Sequence, residues 1–186
     1  MKITLLGDSI RGIGYGTMVP GLLGDDFEVF QPHDNGRFAK YTLRGIHDWA
    51  GAMEGSRIVH WNNGLWDICK LFDDGNFSSE QEYIDCMLRI AKILLERYDK
   101  VIFATSTPVN ENHPQLKNAD IERYNSIIVP LLEEKGVIIN DLYTPVSADI
   151  DKYIRSDDNI HLTEEGIILC SHQVANVIRQ VAESLD

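Results

Sequence analysis

Five short apolar runs punctuate the chain, at Lys2 to Leu6, Phe27 to Phe30, Arg57 to Trp61, Val101 to Thr105 and Val137 to Ile139. Each has strand length, is enriched in β-branched or aromatic side chains, and is continuously apolar rather than alternating, which predicts strands buried on both faces. Between them the period changes to that of a helix. From Ser79 to Tyr98, residues Tyr83, Met87, Ile90, Ala91 and Leu94 fall on one stripe, and Ser79 ahead of Glu80 and Glu82 predicts an N-cap with acidic residues in the first turn. Further helices are predicted over Thr42 to Met53, Asn118 to Glu134 and Thr163 to Ser184, with surface loops at Asp73 to Ser79 and Asn110 to Asn118. Strand and helix alternate throughout, which predicts an α/β fold with a mainly parallel sheet, covered on both faces and joined by right-handed crossovers. In such sheets ligands bind beyond the carboxyl ends of the strands, so the residues after Leu6, Trp61, Thr105 and Ile139 are where chemistry is expected.

Composition narrows this picture. With 186 residues, 44% hydrophobic and 25% charged, the chain is expected to form one domain over residues 1–186 that needs neither disulfide nor structural metal. Cys69, Cys86 and Cys170 are odd in number and widely spaced, as expected of reduced thiols in a cytoplasmic protein. A net charge of −12 with no basic run argues against nucleic acid as a partner. The apolar stretch at the start is interrupted by Asp8, too early for a signal peptide or a membrane span, so no membrane association is expected. Nothing in the pattern specifies an oligomeric state.

Two short segments carry reactive residue types. The first strand runs into Gly7-Asp8-Ser9-Ile10, which places a serine hydroxyl at the carboxyl end of the sheet. Taken alone, Asp8 and Ser9 serve equally well as helix caps. Near the other end, Asp158-Asn159-Ile160-His161 stands directly before the last helix. Acyl transfer by a serine needs a base near neutrality, and that base needs a third group to fix its tautomer; an aspartate three residues before a histidine can supply that hydrogen bond locally.

A Gly-Asp-Ser after the first strand and a DxxH before the last helix, with the strands between them, resemble the GDSL or SGNH hydrolase family over essentially the whole chain. The resemblance implies a flavodoxin-like three-layer α/β/α sandwich with a five-stranded parallel sheet. It implies a catalytic triad of Ser9 as nucleophile, His161 as base and Asp158 as its orienting partner. It implies, too, an oxyanion hole built from the Ser9 and Gly36 backbone N–H groups and an asparagine amide. Here the chain departs from the family. The pattern Gly-x-Asn-Asp is met by Gly64-Leu65-Trp66-Asp67, with Trp66 in the asparagine position. Asn63 and Asn62 stand just upstream, and because successive strand side chains point to opposite faces, at most one is expected to serve.

The resemblance implies a serine esterase acting on a small-molecule ester through an acyl-serine intermediate, with no cofactor. Small-acyl esters, such as carbohydrate O-acetyl groups, are the expected substrates. The altered third block motivates an alternative, a non-catalytic binding module on the same fold. A third reading, a phosphate binder, rests on Gly12, Gly14 and Gly16, but their spacing fits no phosphate-binding fingerprint and no lysine follows; a flexible turn beside Ser9 is expected instead. His33, His47, His60, His113 and His172 lack ligand spacing, so no metal is expected. Tyr15, Trp61 and Trp66 are expected in the core or walls, and Thr107 to Asn110 is a candidate pocket segment.

Overall fold

The computed structural model describes residues 1–185. The five predicted runs form strands β1 (Lys2–Leu6), β2 (Glu28–Phe30), β3 (Ile58–Asn62), β4 (Lys100–Ala104) and β5 (Ile138–Asn140). They make one all-parallel sheet in the order β2-β1-β3-β4-β5, with Leu6 opposite Trp61 and Trp61 opposite Phe103. Helices α1 (Val19–Leu23), α2 (Ala39–Asp48), α3 (Ala50–Met53), α4 (Leu65–Ile68) and α5 (Glu80–Leu95) surround it. They are joined by α6 (Asn118–Glu134), α7 (Tyr143–Ser147), α8 (Ile150–Tyr153) and α9 (Glu164–Glu183). The continuous apolar strands account for this layering: Ile3, Leu5, Ile58, Val59, Trp61, Ile102 and Phe103 are all fully buried, so both faces of the sheet must be covered.

The long helices form for the expected reasons. Helix α5 begins with a reciprocal capping box between Ser79 and Glu82, and it buries Tyr83, Met87, Ile90, Ala91 and Leu94 along one stripe. Helix α9 opens on Thr163, whose hydroxyl accepts from the Gly166 N–H at 3.1 Å.

Two segments differ from expectation. The segment predicted as one helix from Thr42 to Met53 is two, α2 and α3, broken at Trp49, and α2 starts three residues early. Its first turn is capped from a distance, by Asp67 Oδ2 accepting from the Ala39 N–H at 2.9 Å, and no local sequence signal could report that. The expected flexible turn around Gly12 to Gly16 is instead a wide π-helical turn, Ile10–Gly14, followed by a 3₁₀ turn, Tyr15–Thr17. It is pinned at both ends: Tyr15 is fully buried with its hydroxyl on Asn62 Oδ1, and the buried Arg11 guanidinium donates to the Gly7 carbonyl.

The strand order reverses direction at β1, whose neighbours β2 and β3 lie on opposite sides. In doubly wound sheets the crevice opens at that switch point, beyond the carboxyl ends of β1 and β3.

Candidate active site

Ser9 stands at that crevice, immediately after β1 and in helical backbone conformation. Its N–H precedes the first hydrogen bond of the turn, Gly12 N–H to Asp8 O at 2.9 Å, so it belongs to the orphan donors of a helix start. Gly7 is required by contact: a β-carbon there would lie 1.9 Å from Asn62 Oδ1.

His161 reaches Ser9 from the far end of the chain, with Nε2 2.8 Å from Ser9 Oγ. Its Nδ1 lies 2.9 Å from Asp158 Oδ2. The Asp158 carboxylate also folds its own loop, Oδ1 accepting from the Ile160 N–H at 3.1 Å and the His161 N–H at 3.0 Å. Asn159, between them, adopts left-handed backbone (φ 64°), which asparagine tolerates. An antiparallel bridge between Ile154 and Leu162 closes the base of the loop. Partial burial raises the Asp158 titration, but the bonds from the His161 backbone and ring and from the Ile160 backbone outweigh it and bring it to about 2. The carboxylate is therefore charged at any pH near neutrality, ready to fix the imidazole tautomer and to stabilise an imidazolium.

The residues expected to bind an oxyanion are distributed differently from the family pattern. Gly36 is close, but its N–H is already engaged, donating to the Gly7 carbonyl at 2.8 Å. Glycine is needed there because a β-carbon would meet Gly7 O at 2.8 Å and Gly7 C at 2.9 Å. In this arrangement Gly36 braces the loop after β2 against the end of β1, which corrects its expected role as a free donor. Asn62 is likewise committed. Its Nδ2 donates to Asp8 Oδ1 at 2.8 Å, and its Oδ1 accepts from Tyr15. Asp8 is fully buried and its Oδ2 has no partner; burial pushes its titration up, opposed by Asn62, the Ile10 N–H and Arg11.

Asn63 differs. It is fully buried, Nδ2 donates one proton to the Arg37 carbonyl at 2.9 Å, and Oδ1 has no partner, so its carboxamide is held at one atom where that of Asn62 is held at both. Among the four expected oxyanion groups, the Gly36 N–H is the one already spent, whereas the Ser9 N–H and one amide proton of each asparagine make no hydrogen bond within the described residues.

The cleft over Ser9 and His161 has a volume of about 720 Å³. Its walls are mostly apolar, with Ile13, Phe38, Leu65, Trp66, Leu71 and Phe77 prominent. Of six large hydrophobic side chains exposed on the described surface, four, Ile13, Trp66, Leu71 and Phe77, line this cleft. Trp66, which occupies the family's asparagine position, is therefore wall rather than donor. Tyr15 and Trp61 are core, and Thr107 and Val109 are buried away from the cleft lining. His113, Gln115 and Leu116, a few residues further along the same loop, line it instead. His113, without metal-ligand spacing, and Asp67, whose cross-link to α2 is non-local, carry no local sequence signal of these roles.

No family model and no curated protein matches the chain. Solved structures do. An acetyl xylan esterase superposes with a TM-score of 0.81 over 96% of this chain and 100% of its own, at 19% identity. A lipase/acylhydrolase from Enterococcus faecalis gives 0.79 over 96% and 95%, at 18% identity. A member of the lipolytic G-D-S-L family from Veillonella parvula gives 0.76 over 95% and 97%, at 18% identity. The similarity runs over the length of the sheet and its helices, and the chain accordingly has the three-layer α/β/α fold of the GDSL/SGNH hydrolases.

Proposed function

We propose that the protein is a serine esterase that hydrolyses its substrate through an acyl-Ser9 intermediate. The observation that carries this reading is the unbroken chain of hydrogen bonds from Ser9 Oγ through the His161 ring to Asp158. Three residues separated by 149 positions between Ser9 and Asp158 meet at the switch point of the sheet, and a structural role for Ser9 or His161 does not need that alignment. His161 Nε2 takes the hydroxyl proton as Ser9 Oγ attacks the ester carbonyl. The Ser9 N–H and the Asn63 amide then stabilise the oxyanion. His161 next returns the proton to the leaving alcohol, and water attacks the acyl-enzyme with His161 again as base. This chemistry needs no cofactor.

The cleft walls favour an ester whose acyl or alcohol part is apolar, because covering such a group takes the side chains of Ile13, Trp66, Leu71 and Phe77 out of water together. A small-acyl carbohydrate ester is the second reading. The exposed Trp66 face supports it, since an indole can stack on a sugar, and several structural neighbours are acetyl xylan or acetyl-xylooligosaccharide esterases. The third reading, a binding module without turnover, draws support from the engaged Gly36 N–H. Hydrolysis rates on p-nitrophenyl esters from acetate to octanoate, alongside acetylated xylo-oligosaccharide, separate the three. The apolar reading expects kcat/KM to rise from acetate to at least butyrate. A maximum at acetate together with release from the oligosaccharide favours the second reading, and no turnover on any substrate favours the third.

A further inference from the structure

His113 lies on the loop between β4 and α6, and its imidazole is 7% exposed yet lines the Ser9 cleft. Its Nδ1 is 3.2 Å from the Gln115 N and 3.0 Å from the Leu116 N. Backbone N–H groups only donate, so Nδ1 must carry a lone pair, and the proton of the neutral ring sits on Nε2. Flipping the ring or exchanging tautomers would break both bonds. The loop is fixed as well: the His113 N–H donates to Asn110 O at 2.9 Å, and Lys117 Nζ donates to His113 O at 3.3 Å. The Asn110 N–H in turn donates to Asn159 O at 2.9 Å, which ties His113 to the loop that carries Asp158 and His161. Burial favours the neutral ring, Lys117 and His161 reinforce this, and Asp158 opposes it.

This arrangement leaves a preset donor on the His161 side of the cleft. In acyl transfer the leaving oxygen must lie against the imidazole that protonates it, whereas the oxyanion lies toward the Ser9 N–H and the end of β3. Groups beside His161 therefore meet the alcohol half of the substrate.

We propose that His113 is a specificity-determining residue whose Nε2–H donates a hydrogen bond to an oxygen in the alcohol portion of the ester, beyond the scissile bond. The proposal rests on the esterase reading above. It separates from a merely structural role because the two roles use different ring nitrogens: Nδ1 holds the turn, and Nε2 faces the substrate.

The test compares 2-methoxyethyl butyrate with n-butyl butyrate, which share an acyl group and a shape and differ by one ether oxygen. His113→Asn sets a carboxamide oxygen near the Nδ1 position and deletes the distal N–H, whereas His113→Gln carries an amide N–H toward the Nε2 position without the inner acceptor. The wild type is expected to prefer the methoxyethyl ester. His113→Asn should lower kcat/KM for that ester about threefold to tenfold more than for the butyl ester, the worth of one neutral hydrogen bond. His113→Gln should retain the preference even where its melting temperature falls. The proposal is overturned if the wild type turns over both esters without preference, if His113→Asn keeps the wild-type ratio of the two, or if His113→Gln loses it. Absence of turnover of either ester by the wild type overturns the esterase reading itself.

Discussion

Replacing Asp158 with asparagine probes the triad with almost no change in volume. In the native loop Oδ1 accepts two backbone N–H groups, from Ile160 and His161, while Oδ2 faces His161 Nδ1. The asparagine oxygen must take the Oδ1 position, because an NH₂ there would confront two donors and forfeit two hydrogen bonds, each worth about 0.5–1.5 kcal/mol. The NH₂ then faces Nδ1 and forces it to become an acceptor. The imidazole proton moves to Nε2, which now donates to Ser9 Oγ instead of accepting from it, and the base is lost. The equivalent change of tautomer in a serine-protease triad lowers kcat on the order of 10⁴-fold, about 5 kcal/mol of barrier. Asp158→Asn should therefore fold, with a melting temperature near that of the wild type, and lose about 10³- to 10⁴-fold in kcat on the best p-nitrophenyl ester. Because the wild-type carboxyl titrates at about 2, the deficit should persist across pH 5 to 9. A folded variant that keeps kcat within tenfold of wild type would refute the tautomer argument.

The oxyanion donors, the bracing glycine and the buried carboxylate each give a separate prediction. Asn63→Ala should lower kcat about 10²- to 10³-fold with little change in KM, whereas Asn62→Ala, which strips Asp8 and Tyr15 of a partner, should chiefly lower the melting temperature; equal kcat losses in the two would contradict the division of labour. Gly36→Ala should destabilise the fold by about 1–3 kcal/mol, because its β-carbon meets backbone atoms of Gly7 that cannot yield, and unchanged denaturant unfolding would count against that contact. Burial pushes Asp67 up to about 6, against its bonds from Ser78 and Ala39. The folded state then holds the proton more tightly than the unfolded chain, so this group favours folding below about pH 4 and loses roughly 3 kcal/mol of that contribution as pH rises through 6. Asp67→Asn should gain stability relative to wild type between pH 4 and pH 7 in urea titrations, and a difference that does not vary with pH would sink the assignment.

What the sequence made legible was whatever its own local pattern controls. The apolar runs mark all five strands to within a residue or so, and the α5 stripe and its Ser79 cap are local signals that the structure reproduces residue for residue. Asp158 and His161 were readable because the hydrogen bonds that join them span three residues. The contacts made across loops were not readable. An Asn35-Gly36 turn looks the same whether the Gly36 N–H is free or bound to Gly7, 29 positions earlier. Asn62 and Asn63 are adjacent and chemically identical, and only the positions of Asp8, Tyr15 and Arg37 around them assign their tasks. Helices α4, α7 and α8 span 4 or 5 residues, too short for a period to show. The apolar cleft was invisible because Ile13 on the π-helical turn, Trp66 on α4, and Leu71 and Phe77 on the segment between α4 and α5 converge only in three dimensions.

The proposed esterase chemistry depends most on Ser9 being an activated nucleophile. Treating the protein with a fluorophosphonate probe, followed by proteolysis and mass spectrometry, reads that directly. One adduct per chain, located on Ser9 in the wild type and absent from Ser9→Ala, is the predicted result. A folded wild type that takes up no probe, or a Ser9→Ala variant that is labelled as fast, would contradict it.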